Sequence, residues 1–111
     1  MKRKLFKSYE FEFDSNQKKV ITSFAKQSLK QMSGDDRLTR EVKTFESIVQ
    51  KLESSSDKIK FTKDEKTKLT FQLKENVKHL KKKMDEAWFL TRWFYKNMYT
   101  QYKNILQTLE E

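Results

Sequence analysis

Residues 63–108 read KDEKTKLTFQLKENVKHLKKKMDEAWFLTRWFYKNMYTQYKNILQT, and the spacing of apolar side chains in this stretch decides the fold. At about 100° per residue, Leu69, Leu73, Val77, Leu80, Met84, Ala87, Trp88, Phe94, Tyr95, Met98, Tyr99, Tyr102, Ile105, Leu106 and Leu109 fall on one helical face about 120° wide. The stripe keeps its phase throughout, and no Gly, Pro or Asn-Gly turn interrupts it. The pattern therefore predicts one helix over about 63–108, roughly 70 Å long at 1.5 Å per residue. Helices in globular proteins average about 11–12 residues. The rival is accordingly a bend near Lys83-Met84-Asp85, with Asp85 capping a fourth helix.

Upstream, Tyr9, Phe11 and Phe13 alternate with Glu10 and Glu12, which predicts a short strand with one apolar face. Asp14-Ser15-Asn16 follows, and Gln17 stands three residues after Asp14 in capping-box position. Val20, Ile21, Phe24, Ala25 and Leu29 then recur at helical spacing, giving a first helix over about 15–32. Ser33-Gly34-Asp35-Asp36 ends it, with Gly34 expected in the left-handed cap. In the second helix Leu38, Val42, Phe45, Val49 and Leu52 form a seam, closed by Ser54-Ser55-Ser56-Asp57. Ile59-Lys60-Phe61 is again extended, and Thr62 with Glu65 makes a second capping box. Residues 13–18 and 61–66 thus share the character of a strand running into a capped helix. Their two strands, about 8–13 and 58–61, are expected to pair as a small ribbon.

The strand–helix–helix order of residues 7–54 loosely resembles the ribbon-helix-helix DNA-binding proteins, in which outward strand residues touch bases. Here those positions are Glu10 and Glu12, which phosphates repel. The resemblance implies nothing about function that these carboxylates do not oppose.

A chain of 111 residues suffices for one domain, taken as 1–111, with one core. Charged residues reach 37%, which leans towards disorder, but aromatics at 14% bury large areas and argue for a folded chain. One Gly and no Pro favour helices over many short strands. The absence of Cys removes disulfides, thiolate catalysis and thiolate-held zinc. Met1-Lys2-Arg3-Lys4 is basic but is not followed by an apolar core, so no secretory signal is expected. No apolar run approaches 18 residues, so neither a spanning helix nor a membrane partner is expected, and the location predicted is cytoplasmic.

Catalytic chemistry is hard to assemble from this sequence. The one His, His79, sits among Lys78, Lys81, Lys82 and Lys83 with no second His or Cys to share a metal. Asp35-Asp36 and Asp85-Glu86 lie at expected helix starts, where the helix dipole explains them. A single Gly excludes the familiar phosphate cradles. The expectation is a non-enzymatic protein with no cofactor, metal or small-molecule substrate.

The net charge of +9 is concentrated in residues 57–84, with ten basic against four acidic residues. Lys74, Lys78, Lys81 and Lys82 lie on the polar side of the long helix and make nucleic acid the alternative partner. A solvated lysine-rich face is the favoured explanation over binding, and Arg, the usual reader of guanine, is sparse. Phe89 and Trp93 carry more information. They stand one turn apart, off the core stripe, with Leu90 beside them. Either the chain's own helices cover this section from two sides, or Phe89, Leu90 and Trp93 meet another molecule, with a homodimer the leading form.

The resulting expectation is a mainly α helical bundle: three long helices, or four if the last bends, with a minor two-stranded ribbon. Its expected function is that of a protein-binding or regulatory module working through an aromatic helical surface. The alternative is a basic nucleic-acid-binding accessory protein.

Overall fold

The computed structural model describes residues 8–54 and 58–110. The expected basic start, Met1 to Lys4, and the stop residues Ser55, Ser56 and Asp57 lie outside them. The fold is mainly α, in the order β1 (Ser8–Glu12), α1 (Ser15–Met32), α2 (Thr39–Ser54), β2 (Lys58–Thr62), α3 (Lys63–Glu86) and α4 (Phe89–Glu110). A 3-10 turn, Asp36–Leu38, leads into α2. The chain divides into two units, Met1–Leu69 and Thr70–Glu111, with the boundary inside α3.

In the first unit the expected ribbon forms. β1 and β2 pair antiparallel, with Tyr9 opposite Phe61 and Phe11 opposite Ile59. Period-2 alternation puts these residues on one face and Glu10–Lys60 and Glu12–Lys58 on the other, where opposite charges face each other. Phe11, Phe13, Ile59 and Phe61 are buried, and the Phe11 ring lies 6.2 Å from Phe13 and 6.0 Å from Phe61.

Both helix starts follow from their capping residues. The Gln17 amide donates to Asp14 Oδ1 at 2.7 Å and the Asp14 amide to Gln17 Oε1 at 3.1 Å. The same reciprocal pair recurs at α3, where the Glu65 amide donates to Thr62 Oγ1 and the Thr62 amide to Glu65 Oε1. Each box satisfies two orphan donors of a first turn.

α1 buries Ile21, Phe24, Ala25, Ser28 and Met32 and packs against α2, which buries Phe45, Ile48 and Leu52. The expected seam residues Leu38, Val42 and Val49 are only half-buried, and Ile48 takes a central place beside Phe45. The end of α1 departs from expectation. Ser33 remains in the right-handed helical region, its amide and hydroxyl both donating to the Leu29 carbonyl, and Gly34 does not adopt positive φ. α1 therefore ends without the left-handed glycine that was expected. Asp35 then caps the 3-10 turn and holds Arg37 through two side-chain hydrogen bonds.

In the second unit Leu73 and Leu80 of α3 and Ile105, Leu106 and Leu109 of α4 are buried, and Lys74 meets Glu110 at 2.9 Å. The expectation of one continuous helix over 63–108 is corrected. α3 ends at Glu86 and α4 begins at Phe89, so the four-helix form holds. The break falls at Ala87-Trp88 rather than at Lys83-Met84-Asp85, and Asp85 stays inside α3 instead of capping α4.

An exposed aromatic cluster as the candidate functional site

The site is built by that break. Helix ends leave carbonyls without partners. Here the Met84 carbonyl accepts the Ala87 amide at 3.4 Å and Nε of Arg92 at 3.2 Å, so an α4 side chain completes the last turn of α3. A cation at a helix C-terminus also suits the dipole. The Arg92 amide donates to the Trp88 carbonyl at 2.6 Å and opens α4. No glycine or proline is involved.

Around this junction large apolar side chains face solvent. Trp88 is 76% exposed, Phe89 73%, Leu90 64%, Trp93 67% and Phe94 55%. Trp88 stacks on Phe89 with ring centroids 6.3 Å apart, and Phe94 meets Tyr95 edge-on at 5.6 Å. Helical spacing groups Phe89 with Trp93 and Leu90 with Phe94, one turn apart in each pair. The cluster therefore covers two adjoining faces of the first two turns of α4.

Phe89, Leu90 and Trp93 were singled out from sequence because they leave the stripe. Trp88 and Phe94 were expected within it, as core, and are instead exposed. The reason lies in where burial is found along α4: Ile105, Leu106 and Leu109 are buried near its end, whereas Tyr95, Met98, Tyr99 and Tyr102 are half-buried and the residues before them are open. Periodicity identifies an apolar face but not how far along the helix that face is covered. Phe71 of α3, 58% exposed, was not singled out at all.

The lysine face is already engaged with carboxylates. Lys74 pairs with Glu110, Lys78 with Glu75 and Lys81 with Asp85, all at exposed positions. Such pairs are individually weak, about 0–1 kcal/mol, but they lower the positive field offered to a phosphate backbone. Of the four lysines, only Lys82 lacks such a partner among the described residues. His79 is exposed, and no group of three His, Cys, Asp or Glu side chains suited to a metal occurs among the described residues.

Two surface depressions lie along the helices. One, about 510 Å³, is lined by Ser15, Lys18, Lys19, Thr22, Ser23 and Lys26 of α1. The other, about 440 Å³, is lined by Tyr99, Thr100, Lys103, Asn104, Leu106, Gln107 and Glu110 of α4. The first is lined by no carboxylate or imidazole, and in the second the one carboxylate, Glu110, is paired with Lys74. Among the described residues no helix is long and apolar enough to cross a membrane. Compared with protein-family models, curated proteins and solved structures, the chain matches none of them.

Proposed function

We propose that this chain is a non-enzymatic, cytoplasmic protein-binding or regulatory module whose contact surface is Phe89, Leu90 and Trp93, widened by Trp88 and Phe94. The observation that carries the reading is the exposure of these five residues within one seven-residue stretch. At roughly 150–250 Å² per aromatic side chain, they present on the order of 600 Å² of apolar surface. That reaches the upper end of the largest patch on an ordinary monomer, about 300–600 Å². Covering it is worth on the order of 15 kcal/mol gross at about 25 cal/mol per Å². Association costs about 4–15 kcal/mol, so the surface is large enough to sustain binding. Trp and Phe also supply much contact area for few rotatable bonds, which is why aromatic residues anchor interfaces.

The nucleic-acid reading has less support, because three of its four lysines hold carboxylates. A photo-crosslinking residue at Asn97, on the face carrying Phe89 and Trp93, tests the proposal in the native cell. The expected result is a specific protein adduct that disappears with Trp93→Asp and persists with Lys74→Ala. Absence of any protein adduct overturns the proposal.

A further inference from the structure

We infer that the molecule covering this cluster is a second copy of the chain, seated about a two-fold axis with the two α4 helices antiparallel. The inference rests on the reading of the cluster as a contact surface and adds the identity and geometry of the partner.

Charge is the first argument. The chain carries +9, yet the segment around the cluster is balanced: Asp85 and Glu86 precede it, and Arg92 and Lys96 lie within or just after it. A basic surround would point to an acidic partner. Over residues 85–97 two acidic side chains are matched by two basic ones, and a surround balanced in this way does not repel a second copy of itself. Two of these charges are also without an ion-pair partner in their own chain among the described residues. Asp85 is held by Lys81 and Arg92 Nε donates to Met84, but Glu86 and Lys96 are exposed and have no such contact.

Geometry is the second argument. Phe89 and Trp93 form one four-residue ridge of α4 and Leu90 and Phe94 the neighbouring one, and such ridges interlock between packed helices. In a two-fold contact residue i meets j while j meets i. An antiparallel register that lays Trp93 on the other copy's Phe89 also lays Phe89 on the other copy's Trp93, so the same ring contact is made twice.

Area is the third argument. At roughly 600 Å² from each copy, the contact covers about 1,200 Å², the lower limit of specific interfaces. A membrane surface is disfavoured, because interfacial helices carry a strongly basic polar face along the inserted segment itself, and residues 87–97 hold only Arg92 and Lys96.

Sedimentation equilibrium of the whole chain across the micromolar range tests the inference. The expected mass is twice 13.6 kDa at the upper end. Trp93→Asp should raise the dimer dissociation constant by about 30-fold or more, the loss typical of a central aromatic anchor, with helical circular dichroism unchanged. A chain monomeric throughout, or a dimer indifferent to Trp93→Asp, overturns the inference. So does a monomer that binds anionic phosphatidylserine vesicles through the cluster. A monomer in which the Asn97 crosslinker captures some other protein refutes the second copy but leaves the contact-surface reading intact. A monomer with no protein adduct refutes both.

Discussion

The ammonium of Lys51, on α2, lies 2.6 Å from Oε1 of Glu65, the residue that also closes the capping box of α3. The other carboxylate oxygen, Oε2, accepts from the Ser47 hydroxyl, one turn before Lys51 on the same helix. A single buried carboxylate thereby joins α2 to the first turn of α3. Asp64 beside it accepts from Thr44 and pairs with Lys68, extending the polar seam outwards.

This arrangement fixes a pH dependence. Burial pushes the Glu65 carboxyl up, but Lys51, Ser47 and the Thr62 amide together outweigh burial and hold it below its usual value. A carboxyl lowered in the folded state adds stability above its unfolded pKa, about 4.3, and loses it as pH falls through the folded value. Glu65→Gln should therefore cost about 1–2 kcal/mol near neutral pH, kept modest because Lys51 is partly exposed. Urea unfolding at neutral pH and again well below pH 4 checks this: the gap between wild type and variant should close in acid. A gap that stays constant would show that the charge of Glu65 contributes nothing.

Gly34 supplies a second expectation. With negative φ and nothing within 4 Å of where a Cβ would stand, it uses none of the freedom that glycine provides. Gly34→Ala should raise stability by about 0.4–1 kcal/mol, chiefly by restricting the unfolded chain. Thermal melts at matched concentration measure it. A destabilised variant would mean that the turn after Ser33 does need left-handed backbone.

Much of the fold was legible because its signals are local. Asp14 and Gln17, like Thr62 and Glu65, stand three residues apart, and a capping box is complete within that span. Alternation at Tyr9–Phe13 and around Ile59-Lys60-Phe61 likewise announced both strands of the ribbon. The roles of Ser47 and Lys51 were not legible, because they meet Glu65 across 18 and 14 residues of chain and depend on how α2 packs. The break at Ala87-Trp88 was hidden for another reason. A stripe in constant phase records which side of each helix is apolar, and it is unaffected when two helices change direction at a junction. Within the cluster, Phe89, Leu90 and Trp93 were readable as departures from the stripe. Trp88 and Phe94 were not, since exposure depends on what else reaches their end of α4.

Thr70, near the start of the second unit, offers a third test. Its hydroxyl oxygen is inaccessible to water and has no hydrogen-bond partner among the described residues. A buried donor without a partner costs about 1–3 kcal/mol, and a methyl group of similar shape avoids that cost. Thr70→Val should therefore stabilise the chain by about 0.5–1 kcal/mol, read as a higher urea midpoint with unchanged slope. A loss of stability would reveal a partner for the hydroxyl.

Whether the aromatic cluster belongs to the core or to the surface is decided by comparing Trp93 with Phe45. Phe45 is fully buried, and Phe45→Ala should cost about 3–5 kcal/mol through lost burial and the cavity left behind. Trp93 is two-thirds exposed, and an exposed substitution away from caps and buried networks changes stability by about 0.5 kcal/mol or less. Trp93→Asp should therefore unfold at nearly the wild-type urea concentration when both proteins are dilute. At high concentration the two should diverge, because a partner that binds only the folded chain raises its apparent stability by mass action. The wild-type melting temperature should then climb with concentration while that of Trp93→Asp stays flat. A large loss of stability for Trp93→Asp at every concentration would place the ring under the chain's own helices and remove the surface on which the proposed function rests.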